Sequence, residues 1–315
     1  MTASQHPSLP PESATGRPTL PSTTGRAGRL AQLELLVIRK LDGMLQGDHQ
    51  GLVPGGGSEP ADGRLYEPGD DVRRMDWNLT ARSGAPHIRT TVADRELECW
   101  LVVDTSASLD FGTASCEKRD LALAAAASFG LITARDGNRV GALLCGPDGV
   151  ALVPPRSGRA AALGLLRRLE RAERAPEGAG AVSLADALRR TRLVARRRGL
   201  VVVITDLLDN GPWQRELRGL AARHDVVVVQ VVDPRESSLP DVGLLTLVDP
   251  ETGRRLEVQT ASTKVRERFE AAAAERQAAV ERAVLVTGAS MLQLSTDRDW
   301  LLDVVRFVAR RRRRR

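Results

Sequence analysis

Cys99-Trp100-Leu101-Val102-Val103-Asp104-Thr105-Ser106-Ala107-Ser108 is the stretch on which the reading of this chain turns. An apolar run of strand length ends without a break in a carboxylate, and two hydroxyls follow at alternate positions. A run of this kind fits a strand buried on both faces, as in the centre of a parallel sheet. The oxygens that follow would then gather in a tight loop at the strand's carboxyl end, where open α/β sheets bind their ligands.

Working outward, strand-length apolar runs alternate with helical segments. Strands are expected at Val140–Cys145, Val150–Val153, Leu200–Ile204, Val226–Val232 and Met291–Leu294. Helices are expected at Cys116–Thr133, where the apolar character runs all round, at Ala160–Arg171, Leu184–Arg197, Trp213–Arg223 and Thr263–Ala283, and from Trp300 to Ala309. A hairpin fits Leu244–Val258, because Pro250 and Gly253 supply a turn. This alternation predicts an α/β fold with a doubly wound, mostly parallel sheet. It is preceded by a helix from Arg26, with Leu30, Leu33, Leu36, Val37 and Leu41 on one stripe, and by an ordered loop region rich in Gly, Pro and Asp from Gly51 to Pro86. The domain reading is a disordered tail over residues 1–25, the helix and loop region over 26–95, the α/β domain over 96–309 and a basic tail over 310–315.

Composition narrows the function classes. The net charge is +6, and the six arginines from Arg310 to Arg315 account for all of it. Basicity therefore belongs to the tail, which is either a solvated end or a contact for an anionic surface. Aromatics make up only 3% of the chain, which argues against a nucleic-acid surface of stacked rings. Cys99, Cys116 and Cys145 form no metal spacing and fit a reducing, cytoplasmic setting; Cys99 and Cys145 are expected in the core. No run has the length of a membrane span. The final helix, with Leu301, Leu302, Val304, Val305, Phe307 and Val308, is expected to pack on the sheet rather than rest on a membrane.

The strand Leu200–Ile204 runs into Thr205-Asp206 as directly as the first strand runs into Asp104. If the two strands are neighbours, Asp206 joins Asp104, Ser106 and Ser108 in a pocket of hard oxygens suited to Mg2+ or a similar divalent cation. The same residues could instead cap the helices that follow. A metal-dependent phosphoesterase is the alternative chemistry, with Asp70, Asp71, Asp76, Asp104 and Asp206 as its carboxylates. His6, His49, His87 and His224 show no catalytic spacing and are expected at the surface, and Gly55-Gly56-Gly57 lacks the lysine of a phosphate loop. Neither an enzymatic activity nor a small-molecule substrate is predicted.

Asp104-x-Ser106-x-Ser108 resembles the core of the metal-ion-dependent adhesion site of von Willebrand factor A domains. That resemblance implies a Mg2+ ligand set completed by a third-loop Asp, which Asp206 matches, and by a second-loop Thr. At the second-loop position, within Gly178–Ser183, Val182 stands in place of Thr and Ser183 is adjacent. Either Ser183 substitutes or that ligand is missing. The resemblance further implies that an acidic residue of a partner completes the coordination.

A longer segment, from Arg64-Leu65-Tyr66-Glu67-Pro68-Gly69-Asp70-Asp71-Val72-Arg73-Arg74-Met75-Asp76-Trp77 to Ala81-Arg82, resembles the signature of bacterial domain-of-unknown-function family fifty-eight, which precedes a von Willebrand A-like domain. The resemblance extends from about Leu30 to the end of the chain. It implies a protein-binding adaptor or co-chaperone of a MoxR-type AAA+ ATPase, cytoplasmic or peripheral to the membrane. Physically, Asp70, Asp71 and Asp76 among Arg64, Arg73, Arg74 and Arg82 can lock the loop by ion pairs, with Tyr66 and Trp77 anchoring it to the core and Gly69 making the turn. The functional alternative is a recognition surface beside the pocket.

Overall fold

The computed structural model describes residues 30, 32–37, 39, 64–67, 70–72, 75–88, 97–135, 137–209 and 211–313. Its centre is a six-stranded sheet made of β3 (Glu98–Asp104), β4 (Arg139–Gly146), β5 (Gly149–Ser157), β6 (Gly199–Thr205), β7 (Asp225–Val232) and β10 (Ser290–Ser295), in the order β10-β7-β6-β3-β4-β5. All pairs are parallel except β4 with β5. The chain builds outward from β3 to β4 and β5, then crosses back and builds outward through β6, β7 and β10. The strand order therefore reverses between β3 and β6. This is the doubly wound, mostly parallel sheet read from the sequence, with an antiparallel edge. That edge strand, β5, is longer than expected and carries Pro154 and Pro155 where its pairing with β4 shifts register opposite Gly141.

Alternation along the strands divides the core. Cys99, Leu101 and Val103 face one layer, while Trp100 and Val102 face the other. The first layer holds α2 (Lys118–Arg135), α3 (Arg159–Glu170), α7 (Trp300–Arg313) and the helical residues Leu30, Leu33 and Val37. The second holds α4 (Leu184–Val194), α5 (Trp213–Ala221) and the last turns of α6 (Thr263–Val286). Helix α2 is apolar all round because it is covered all round. Its alanines, and Gly130 against Leu101, let it lie close on the sheet. Gly199 marks another close approach, since a Cβ there would fall 2.0 Å from the Glu98 carbonyl oxygen on the next strand. Cys99 and Cys145 are buried as expected, and burial pushes both thiols up to about 12. No helix among the described residues is long and apolar enough to cross a membrane.

Several expectations are corrected. The region before the sheet is not all irregular loop. It holds β1 (Arg64–Leu65) paired with β2 (His87–Ile88), and α1 (Trp77–Ser83) between them. Asp76 caps α1 by accepting from the amides of Asn78 and Leu79, and Asp70 accepts from the Glu67 amide. These carboxylates serve local backbone, which a short turn-rich segment leaves in need of acceptors. Trp77 does not anchor the segment, because its place at the start of α1 leaves it 70% exposed. Tyr66 is partly buried, Asp71 is exposed, and Arg82 is exposed in the last turn of α1. Gly69, Arg73 and Arg74 lie outside the described residues, as do His6 and His49.

His87 lies in β2 and is partly buried, and His224 is buried just before β7, where burial lowers its pKa. The expected surface position for these two is thus not what the fold provides. Helix α7 also runs past Ala309 to Arg313. Arg311 pairs with Asp225 and stacks 6.0 Å from the centre of the Phe307 ring, so this part of the arginine run is packed structure.

Candidate functional site

At the reversal point the register sets Val103 beside Ile204, which brings Asp104 and Thr205 side by side at the carboxyl ends of β3 and β6. Both point to the α4 side of the sheet by alternation, and the Thr205 hydroxyl donates to Asp104 Oδ2 at 2.9 Å. Asp104 Oδ1 accepts from the Ser106 amide at 2.9 Å, which turns the chain sharply after β3. The turn buries Ser106 and Ser108 and sets their hydroxyl oxygens 3.1 Å apart. At that distance the two hydroxyls hydrogen-bond each other, and they are hard oxygens of the type that a small divalent cation takes.

Asp206 lies one residue further on and turns to the opposite side, where α2 begins. There the Lys118 ammonium donates to Asp206 Oδ2 at 2.9 Å and to Glu236 Oε1 at 2.5 Å. Lys118 is almost fully enclosed. Burial works to lower its pKa, but the carboxylates of Asp206 and Glu236 outweigh burial and hold it above the ordinary value. The turn after β6 is fixed by its own side chains: Thr205 Oγ1 accepts from the Leu207 amide and Asp206 Oδ1 from the Leu208 amide. This holds buried Leu207 at φ 58, a left-handed conformation costing about 1–2 kcal/mol for a residue with a Cβ. Such strain persists where surrounding bonds over-determine it.

Asp104 is partly buried at the end of β3, and its pKa rises to about 6, first from loss of solvent and then from the negative charge of Asp206. The hydrogen bonds from Ser106 and Thr205 oppose that rise. The hydrogen bonds that hold Asp104 come from a backbone amide and a hydroxyl, both neutral donors.

Other strand ends join the network. Asp233, after β7, accepts from the Thr113 amide, from the Thr113 hydroxyl at 2.5 Å and from the Thr296 hydroxyl at 2.6 Å. Burial works against its charge, but these donors hold its pKa below the usual range. Asp233 also forms a capping box with Glu236, which fixes the acid that Lys118 meets. The ends of β3, β6, β7 and β10 are thereby laced into one polar layer.

Ser183 caps α4. Its hydroxyl accepts from the Asp186 amide at 3.1 Å and donates to Asp186 Oδ2 at 2.8 Å. The structure thus brings Asp104, Ser106 and Ser108 together, places Asp206 at the adjoining strand end against Lys118, and commits Ser183 to its helix. Among the described residues, no group of three or more His, Cys, Asp or Glu side chains is arranged around a common metal position. The donor set that fits Mg2+ is therefore one carboxylate and two hydroxyls, hard and sparse.

Sequence reading missed Lys118, Thr205, Glu236 and Glu251. Glu251 lies in the turn between β8 (Leu244–Val248) and β9 (Arg255–Gln259), and its Oε1 accepts from the Ser108 amide at 3.0 Å. Lys118 stands among Glu117, Arg119 and Asp120 at the start of its helix, where charged residues read as a solvated end. An acid in a hairpin turn reads the same way.

Residues 62–279 match the family described as Protein of unknown function DUF58. Uncharacterized protein Rv1480 of Mycobacterium tuberculosis and Uncharacterized protein Mb1516 of Mycobacterium bovis are each 53% identical to this chain over 291 residues, 91% of it and 90% of their own length. Among solved structures, the conserved hypothetical protein BatB of Bacteroides thetaiotaomicron aligns with 69% of this chain and 99% of its own, at 13% identity and TM-score 0.43. The SpRpn10 VWA domain aligns with 66% and 93%, at 10% identity and TM-score 0.38. By its sequence, matched over residues 62–279 by the family model and over most of its length by these relatives, this chain belongs to the DUF58 family.

Proposed function

We propose that this chain is a protein-interaction module whose strand-end pocket takes a divalent cation such as Mg2+ and, with it, an acidic group of a partner protein. The observation that carries this reading is the pair of buried hydroxyls of Ser106 and Ser108, 3.1 Å apart beside Asp104 at the reversal of strand order. Asp104, Ser106 and Ser108 would hold the ion. A bound ion supplies positive charge that can meet a carboxylate from outside. Asp206, held by Lys118 on the other side of the sheet, contributes negative charge at Asp104. The partner proposed from the family resemblance is a MoxR-type AAA+ ATPase, with this chain as its adaptor or co-chaperone. The arginines at the end of α7 are proposed as a second contact, for an anionic surface.

A metal-dependent phosphoesterase would use the same carboxylates. The described histidines do not support it, because His224 precedes β7 at the opposite end of the sheet and His87 sits in β2. The test is titration calorimetry of Mg2+ into the wild type and Asp104→Ala, together with capture of a MoxR-type ATPase in Mg2+ and in chelator. Saturable uptake by the wild type alone, with metal-dependent capture, is expected. Equal capture by both proteins under both conditions would overturn the reading.

A further inference from the structure

The hairpin β8–β9 lies outside the main sheet, inserted between β7 and α6. A two-stranded ribbon is marginally stable by itself. This one exposes Leu244, Val248 and Leu256, and its turn reaches back to the pocket. Inside the turn, Asp249 accepts from the amide of Glu251 at 3.0 Å and the hydroxyl of Thr252 at 2.5 Å. The outer contacts are few and specific. The amides of Gly178 and Gly180, in the second loop of the site, donate to the carbonyls of Pro250 at 2.9 Å and Glu251 at 3.2 Å. Glu251 Oε1 accepts from the Ser108 amide, 143 residues away in sequence.

The second oxygen, Glu251 Oε2, is buried and has no hydrogen-bond partner. A carboxylate oxygen enclosed without a donor is costly. The Oε1 atom serves the Ser108 amide of the turn after Asp104, which Ser106 leaves uncapped, but that single bond does not account for the enclosure of Oε2. Its position is that of an acid offered to the Asp104–Ser106–Ser108 loop, with one oxygen still available.

We infer that Glu251 is the resident acid of the site, standing where a partner's carboxylate is received, and that partner docking exchanges the hairpin turn for an acidic side chain presented on a turn of the partner. This rests on the reading of the pocket as an acid-receiving site. The closed hairpin is then the unliganded state. The partner must displace two backbone hydrogen bonds and one carboxylate contact, a small barrier set by Gly178, Gly180 and Ser108.

The test is amide hydrogen exchange on the full chain for the wild type, Glu251→Gln and Glu251→Ala, in chelator and in Mg2+, with glutarate as the acidic probe. In both variants the amides of Ser108, Gly178 and Gly180 should exchange at least tenfold faster, while those of β3 and β6 stay unchanged and report an intact core. Millimolar glutarate should restore protection at Ser108 in the variants, and the wild type should need at least tenfold more. Unchanged protection at those three amides in both variants would overturn the inference. So would glutarate acting equally on all three proteins or on none. Calorimetry with Mg2+ separates this from the reading it rests on. Metal uptake with an unresponsive hairpin sinks the inference alone; a responsive hairpin without metal uptake leaves the exchange standing and sinks the metal.

Discussion

The Lys118 ammonium stands 2.9 Å from Asp206 Oδ2, and both side chains are buried, at 1% and 4% exposure. A cation supplied by the first turn of α2 thus sits against one of the two carboxylates at the reversal of strand order, and the other, Asp104, has no ammonium of its own in the bonds that hold it. Removing one member of a buried pair strands the other as an uncompensated charge, at a cost of about 3–5 kcal/mol. Lys118→Met should lower the stability by that order in urea denaturation. Lys118→Met combined with Asp206→Asn should cost less than the sum of the single changes by roughly 1 kcal/mol or more. Additive losses would show that the contact contributes little.

Asp104 gives a pH dependence with a definite sign. Its folded pKa, about 6, lies above its unfolded value, so the native state holds the proton more firmly. The contribution to stability is full below the unfolded pKa, near ~4, and is lost as pH rises through about 6. In chelator, the wild type should lose on the order of 2–3 kcal/mol relative to Asp104→Asn between pH 4 and pH 7. Parallel urea-midpoint profiles for the two proteins would contradict the assignment. Mg2+ uptake by the wild type should strengthen over the same window, because the carboxylate must lose its proton to bind.

Ser183 separates capping from ligation. Its hydroxyl is engaged by Asp186 on both sides. Ser183→Ala should therefore cost about 1 kcal/mol of stability through the lost cap and leave the Mg2+ affinity within twofold of wild type. A tenfold loss of affinity at unchanged stability would instead make Ser183 the second-loop ligand.

The arginine run divides at Arg311, which pairs with Asp225. Removal of residues 312–315 should leave the melting temperature nearly unchanged. Removal of residues 310–315 should lower stability by about 1–2 kcal/mol, because Asp225 loses its charged partner. Binding to vesicles containing anionic lipid, followed by cosedimentation from 50 to 300 mM salt, should weaken with both truncations and with salt (the Debye length is about 10 Å at 0.1 M and shortens as salt rises). Salt-independent or absent binding by the full chain would remove the surface contact.

Much of the fold could be read from the chain because β3, β6 and β7 are continuous Val, Leu and Ile runs ending in polar residues, a pattern that only two-sided burial explains. The same runs placed Asp104 and Asp206 at strand ends; that the two ends adjoin was a condition of the sequence reading and is seen in the pairing of β3 with β6. The second layer of the site was hidden for a physical reason. Lys118, Glu236 and Glu251 are brought in by separate connections, and a charged residue in a turn, or in a charged helix start such as Glu117-Lys118-Arg119-Asp120, reads as solvated. Trp77 misled in the other direction. A large ring suggests an anchor, but the carboxylate before it caps a seven-residue helix and directs the ring outward. Such a choice depends on local hydrogen bonding and not on hydrophobicity.

The edge strand β5 constrains how anything can attach to this molecule. Two successive prolines and a break in register leave that border without the regular row of amide donors that another chain's strand would need to pair with it. Continuation of the sheet into a neighbour is discouraged along that side. The carboxylates and hydroxyls gathered at the tips of the strands do not depend on that border, and the proposed recognition through them would leave the sheet's own pairing untouched.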